Sequence, residues 1–335
     1  MQSTTPTTDA EAAPRTRVDG VDVLGALSPS RAGDFMTCPL LYRFRTIDKL
    51  PEPPSHEATR GTLVHKVLEE LFDLPALERT PEQALRMLEP TWEVLAAADP
   101  ELAGVFDSAD WPEREPWLAS CAEAVRRWFT LEDPQRLEPA EREAYVESVL
   151  DSKLLLRGFV DRIDVAPDGA VRIVDYKTGR APGPGFEARA LFQMRFYALV
   201  LWRARGVLPS VLQLVYLGDG EVITYEPDEH DLLATERKVE AVWSAIRRAT
   251  DEQDWRPSRN GLCGRCAHRA LCPAWGGTPP PLADPAGASS AQQQAAEVVD
   301  AEPDEALPED APRALGDGDV VGHDQHGAPG GLGRA

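Results

Sequence analysis

Positive charge and uninterrupted apolar sequence are both scarce in this chain. Thirty-five Lys and Arg face 56 Asp and Glu, a formal net charge of −21 over 335 residues. Any contact with a polyanion must therefore rest on a local groove and on bound cations rather than on a broad basic face. No stretch approaches the ~20 consecutive apolar residues that a bilayer span requires. Met1 to Arg15 is polar and acidic where a secretory leader is basic and then apolar. Together these features lead us to expect a cytoplasmic protein with no membrane partner. Cysteine is scarce too: Cys38, Cys121, Cys263, Cys266 and Cys272 are too few and too uneven for a disulfide scaffold. Three of them fall within ten residues, which suggests a metal.

What is present is a globular body with loose ends. Hydrophobic residues make up 42% of the chain, enough for one large core or two modest ones. Residues 1–25 and 277–335 are rich in Ala, Pro, Gly, Asp and Glu with almost no aromatics, a composition that cannot offset the entropy of ordering. Both are expected to be disordered. The second carries eleven acidic residues against Arg313 and Arg334, a net of −9 that leaves −12 on the rest of the chain. It reads as a solvating extension, with protein docking or DNA mimicry as the alternatives. No internal repeat is present.

The body, residues 26–276, divides into a helical part (26–144), a sheet core (145–250) and a cysteine cluster (261–275). Ser28-Pro29 opens a helix in the cap-then-proline manner, running through Phe35 towards Tyr42. Helical spacing continues over Gly61–Leu74, Pro81–Ala98 and Glu115–Leu131. Residues 145–165 and 171–177 read as two strands around the turn Pro167-Asp168-Gly169, and 211–217 and 221–225 as two more around Gly218-Asp219-Gly220. Phe186–Arg205 and Glu229–Thr250 read as helices. The pattern predicts an α/β fold, a mixed sheet flanked by helices.

Three charged residues, Asp161, Asp175 and Lys177, interrupt the apolar stripes of the first hairpin. With a three-residue loop, Asp161 falls directly across from Asp175, and like charges facing each other on a core-side surface are destabilising unless a cation lies between them. A divalent metal removes that cost. Lys177 shares the face of Asp175 and is placed to orient a water or steady charge on a phosphate, while Tyr176 points away. The plainer alternative is an Asp–Lys ion pair at a strand end, with Asp161 solvated. His65 and Glu69, four apart on a helix, project together and fit a hard-cation site, although a structural or surface role is also open. Gln193 and Tyr197 are again four apart and would present an amide and a phenol to the same cleft, or form a partly buried polar edge.

Cys263-x2-Cys266-x5-Cys272 lies among Gly261, Gly264 and Pro273, a compact loop whose thiolates can converge on one centre. Cys38 joins them as a fourth ligand only if the fold brings the two ends of the body together. The local alternative is zinc on Cys263, Cys266, His268 and Cys272. Cys121 reads as a small buried residue on an amphipathic helix.

In this order, six segments match one family: Leu27-Ser28-Pro29-Ser30 with Phe35, Cys38-Pro39 and Tyr42; Gly61-x3-His65-x2-Leu68-Glu69; Gly158-Phe159-Val160-Asp161-Arg162-Ile163-Asp164; Val174-Asp175-Tyr176-Lys177-Thr178-Gly179; Gln193-x3-Tyr197; and the cysteine cluster. Over residues 27–275 the chain resembles the RecB-like nucleases of the PD-(D/E)XK superfamily. The resemblance implies a restriction-endonuclease-like core and a metal-dependent deoxyribonuclease, an exonuclease of DNA repair or recombination. It implies that His65, Asp161 and Asp175 hold Mg2+ or Mn2+, that Lys177 assists the hydrolytic water, and that Gln193 and Tyr197 support the site; Glu69 matches without an assigned role. Similarity to the iron–sulfur branch, which includes the AddB nuclease domain and the CRISPR adaptation nucleases, implies a 4Fe-4S cluster on Cys38, Cys263, Cys266 and Cys272. No Gly-x4-Gly-Lys-Ser/Thr phosphate loop occurs, so processive unwinding would need a separate helicase or repair protein. The rival reading is a catalytically silent DNA-binding or scaffolding module with a structural metal centre.

Overall fold

The computed structural model describes residues 17–282, apart from 19–20, 103 and 184–186. A short ribbon of β1 (Arg17–Val18) and β2 (Val21–Asp22) precedes β3 (Gly25–Leu27), within the segment expected to be disordered. Then come α1 (Pro29–Thr37), α2 (Pro39–Tyr42), a π-type turn (Arg43–Ile47), α3 (His56–Leu71), α4 (Pro81–Ala98) and α5 (Arg114–Leu131). The remaining elements are β4 (Glu141–Val149), β5 (Leu154–Val165), β6 (Val171–Lys177), α6 (Glu187–Arg205), β7 (Val211–Tyr216), β8 (Glu221–Tyr225) and α7 (Glu229–Asp251). Short 3-10 turns carry the cysteine loop.

The caps follow from the sequence. Ser28, Ser55, Thr80 and Asp228 each accept a backbone N–H from the first turn of α1, α3, α4 and α7. Three expectations are corrected. The helix opened by Ser28-Pro29 stops at Thr37 and restarts at Pro39, because a residue before proline is pushed out of the helical region; Cys38 is extended at φ −165°, ψ 114°. The 145–165 segment is not one strand: β4 and β5 fold back on each other through Leu150–Lys153, a turn without glycine or proline in which Lys153 takes the left-handed conformation, φ 62°. Lastly, residues just past 276 hold to the body, since Arg43 donates to the Pro280 carbonyl and Leu282 packs on the core.

The sheet is mixed, with six strands in the order β3-β5-β6-β7-β8 and β4 paired to β5. β6 and β7 run parallel and are buried on both sides, which accounts for their nearly continuous apolar runs. Ile173, Leu212 and Leu214 face α6 and α7, while Val174, Tyr176, Val215 and Leu217 face the layer of α3, α4 and α5. Among the described residues no helix is long and apolar enough to cross a membrane.

One irregularity positions everything that follows. β4 pairs with β5 from Val149↔Leu155 to Glu141↔Ile163, and the one rung missing from the ladder is Glu143 opposite Asp161. Ala144, Val146 and Val160 face the α6 side before that rung, and Ile163 faces the same side beyond it, so the inward face slips by one residue there. Glu143 carries the slip at φ 42°. On the opposite edge of β5, β3 takes residues 154–156 and β6 takes 162–165. The stretch between them is an open fork.

Candidate active site

Asp161 stands at the fork. The register Arg162↔Val174 through Val165↔Val171 places it opposite Asp175, as the three-residue loop requires. The ladder ends there: the Tyr176 backbone N–H donates instead to Asp161 Oδ2 at 2.6 Å. His65, projecting from α3, brings Nδ1 to 3.6 Å from the same oxygen. Burial first, then the facing Asp175, raise the Asp161 carboxyl far above its ordinary range. Burial lowers the His65 pKa, with Lys177 adding to the effect against the pull of Asp175 and Glu143, so its imidazole is neutral and available as a ligand at physiological pH.

Asp175, buried near the end of β6, is gripped on its other side. Lys177 Nζ lies 2.6 Å from its Oδ2 and donates to Gln193 Oε1 at 3.1 Å, while Gln193 Nε2 donates to Asp175 Oδ1 at 3.0 Å. One amide from α6 thus fixes the acid and the base relative to each other. Gln193 Nε2 also reaches Tyr197 Oη at 3.3 Å. Burial, with Asp175, Asp161 and Glu143, pushes the Tyr197 phenol up to about 12, so it stays protonated. Its ring occupies the space beside Gly158: a Cβ there would meet Tyr197 Cε1 at 2.7 Å, so only glycine lets β5 and α6 close over the site.

Sequence reasoning missed Glu143. Its carboxylate, His65 and Asp161 bring ligand atoms within 4.8 Å of one another, and burial followed by the Asp161 charge raises its pKa. The left-handed backbone that delivers it costs on the order of 1–3 kcal/mol in a non-glycine residue, strain of the kind that collects at working sites. The signal lay in the β4–β5 turn: once Leu150–Lys153 is seen as a hairpin, Glu143 falls opposite Asp161. Glu69, by contrast, turns to Lys66 Nζ at 3.0 Å. Tyr176 points to the far side of the sheet, as expected, where its hydroxyl and the Glu132 carboxylate enclose Arg162. Arg162 is 1% exposed and bonds Asp164 as well. Removing either charge of such a pair from the interior costs about 3–5 kcal/mol, so the strand flanking Asp161 is held stiffly.

At the other end of the body, Cys38 comes to the cysteine loop. The Ser258 N–H donates to Cys38 Sγ at 3.3 Å, and Cys38, Cys263, Cys266 and Cys272 line one small cavity of about 50 Å³. Burial, with Cys38 and Cys272 nearby, raises the Cys266 pKa. His268 lines the same cavity, but its Nε2 is 2.7 Å from Glu52 Oε1. Cys121 is fully buried on α5, its thiol raised to about 12 by burial.

A buried acid, a lysine two residues on, and a second aspartate across a strand fork form the pattern described as the PD-(D/E)XK nuclease superfamily, whose family model matches residues 26–273. The chain belongs to that superfamily. It is 28% identical over 197 residues to the gene 69 protein of Mycobacterium phage D29, a stretch covering 54% of this chain and 70% of the phage protein. It is similar in fold to the crystal structure of a candidate exonuclease from Eubacterium rectale, with a TM-score of 0.50 and 15% identity over 72% of this chain and 87% of that one. The mixed sheet between helical layers is thus the restriction-endonuclease-like core of a PD-(D/E)XK nuclease.

Proposed function

We propose that this nuclease is a metal-dependent deoxyribonuclease of the RecB-like type, an exonuclease serving DNA repair or recombination in the cytoplasm. The observation that carries the reading is the Lys177–Gln193–Asp175 linkage set against Asp161, His65 and Glu143 across the fork. Three carboxylates and a neutral imidazole suit a hard divalent cation, and the raised pKa values of Asp161 and Glu143 come from burial first and then from the repulsion that such an ion relieves. Mg2+ or Mn2+ on Asp161, Asp175 and His65, with Glu143 beside them, would supply neutralisation of the scissile phosphate and acidify the attacking water. Lys177 directs its ammonium to that water and to the phosphate charge. Gln193 keeps Lys177 and Asp175 in register, and Tyr197 backs Gln193.

The four cysteines are proposed to hold a 4Fe-4S cluster that staples α1 to the end of the body. Convergence of Cys38 on the loop supports four thiolates, and the contact of His268 with Glu52 disfavours the Cys3His zinc alternative. Unwinding is left to a separate helicase or repair protein.

The test is incubation of anaerobically purified protein with end-labelled DNA, with and without Mg2+ or Mn2+. Metal-dependent shortening is expected, with Asp175→Ala and Lys177→Ala each slower by about 10²–10³-fold, the usual cost of one electrostatic group. An Asp175→Ala protein that cuts as fast as the parent would overturn the assignment.

A further inference from the structure

Tyr176, between Asp175 and Lys177 on β6, turns its ring away from the cleft and buries it. Its backbone stays in the site. The N–H donates to Asp161 Oδ2 at 2.6 Å, and the backbone of the same residue hydrogen-bonds His65. The ring then meets the His65 imidazole edge-on, with centroids 6.1 Å apart at 78°. Two residues placed around the cation, one from β5 and one from α3, therefore rest on this one tyrosine. Their ligand atoms, His65 Nδ1 and Asp161 Oδ2, lie 3.6 Å apart.

The far end of the ring is tied down by more than packing. Its hydroxyl accepts a hydrogen bond from Arg162 Nη1 and donates to Glu132 Oε2 at 3.1 Å. Glu132, which caps the C-terminal end of α5, also accepts from Arg162 Nη1 at 2.8 Å, from Arg162 Nη2 at 2.6 Å and from Trp128 Nε1 at 2.7 Å. Arg162 is the residue after Asp161, so the same carboxylate holds both arms of the fork from behind. An ion pair buried in place of apolar side chains of similar volume contributes little net stability. A guanidinium held by Glu132, Asp164 and a phenol fixes direction instead, because its donors form a rigid planar fork.

We propose that Tyr176 and Glu132 are positioning residues of the nuclease site: Glu132, acting through the Tyr176 hydroxyl and through Arg162, fixes the separation of His65 and Asp161 and so sets the affinity of the site for its divalent cation. The proposal rests on the nuclease reading and adds to it the residues that hold the ligands in place. Neither residue is itself a ligand. Small divalent cations take ligands at about 2.0–2.1 Å in a strict geometry, so a slight turn of the imidazole or the carboxylate loses affinity. Groups standing behind metal ligands are worth about 10–100-fold in metal affinity or activity.

The experiment is isothermal titration of the full chain with Mn2+, paired with cleavage of end-labelled DNA over a range of Mn2+ concentrations. Tyr176→Phe keeps the ring against His65 and cuts its tie to Glu132, while Glu132→Gln keeps the side chain's shape and removes its charge. Each is expected to weaken Mn2+ binding about tenfold at unchanged stoichiometry, and cleavage lost at low Mn2+ should return towards the parent rate as Mn2+ is raised. Leu88→Ala, in the core of the same helical layer and outside the network, should lower the melting temperature and leave Mn2+ affinity alone. If Glu132→Gln does not fold, Tyr176→Phe decides the question. Parental Mn2+ affinity in Tyr176→Phe, with or without a loss of stoichiometry, would overturn the positioning role, as would an equal loss of affinity in Leu88→Ala. The two readings fail separately: a parent that binds no Mn2+ and cuts no DNA defeats the nuclease reading, whereas a parent that does both, beside a Tyr176→Phe protein of equal Mn2+ affinity, defeats the positioning role alone.

Discussion

Asp161 Oδ2 accepts the backbone N–H of Tyr176 at 2.6 Å, in the place where the β5–β6 ladder has just ended. A side-chain carboxylate thereby takes the donor that the next strand rung would have used. This holds Asp161 against Asp175 although their charges repel, and four expected outcomes follow from the surroundings of this pair and of the cysteine cavity.

The first concerns pH. Burial and the Asp175 charge raise the Asp161 pKa from 3.8 to about 8, so the folded chain binds this proton more tightly than the unfolded one. The resulting stability is fully present below about pH 4 and is lost as pH rises through about 8. In EDTA, the melting temperature of Asp161→Asn relative to the parent should therefore climb between about pH 5 and pH 9, by at least the ~2–4 °C that one kcal/mol represents in a domain of this size. Saturating Mg2+ should shrink the difference. A gap that is flat with pH would show that the carboxyl is ionised throughout.

Glu143→Gln keeps the side chain's shape and removes its charge. Mn2+ affinity, read by isothermal titration, should fall about tenfold, while the metal-free protein should melt higher because repulsion with Asp161 is relieved. Unchanged Mn2+ affinity would exclude Glu143 from the ligand set.

A methyl group at position 158 would collide with the Tyr197 ring. Gly158→Ala is expected to destabilise the protein by about 1–3 kcal/mol in urea titrations and to slow cleavage by displacing Tyr197 and Gln193. Since the clash is with one ring, Gly158→Ala combined with Tyr197→Ala should be no less stable than Tyr197→Ala alone.

If the four cysteines hold an iron–sulfur cluster, anaerobically purified protein should be brown with stoichiometric iron and sulfide. Cys38→Ala should lose both colour and solubility, because ligands this far apart close most of the folded chain into one loop. Cys121→Ala should keep both. Colourless protein with one zinc per chain and a parent-like Cys38→Ala variant would support the local alternative.

What the sequence by itself determined were the features written in short-range chemistry. Helix starts could be read from Ser28-Pro29 and at Pro81, the β5–β6 register from the Pro167-Asp168-Gly169 turn, and the opposition of Asp161 to Asp175 from alternation along paired strands. Each depends on residues within one turn or one hairpin of each other, where spacing alone sets geometry. The β4–β5 hairpin escaped because Leu150–Lys153 has neither glycine nor proline and marks its turn only with Asp151 and Ser152, and with it went Glu143. Only the tertiary structure decided that β3 and β6 share one edge of β5 and leave the fork open, that α6 lays Gln193 between Lys177 and Asp175, that Glu69 turns to Lys66, and that Cys38 meets a loop more than two hundred residues away. Those are meetings of surfaces from distant segments, decided by which apolar faces bury together, and no local pattern in the chain encodes them.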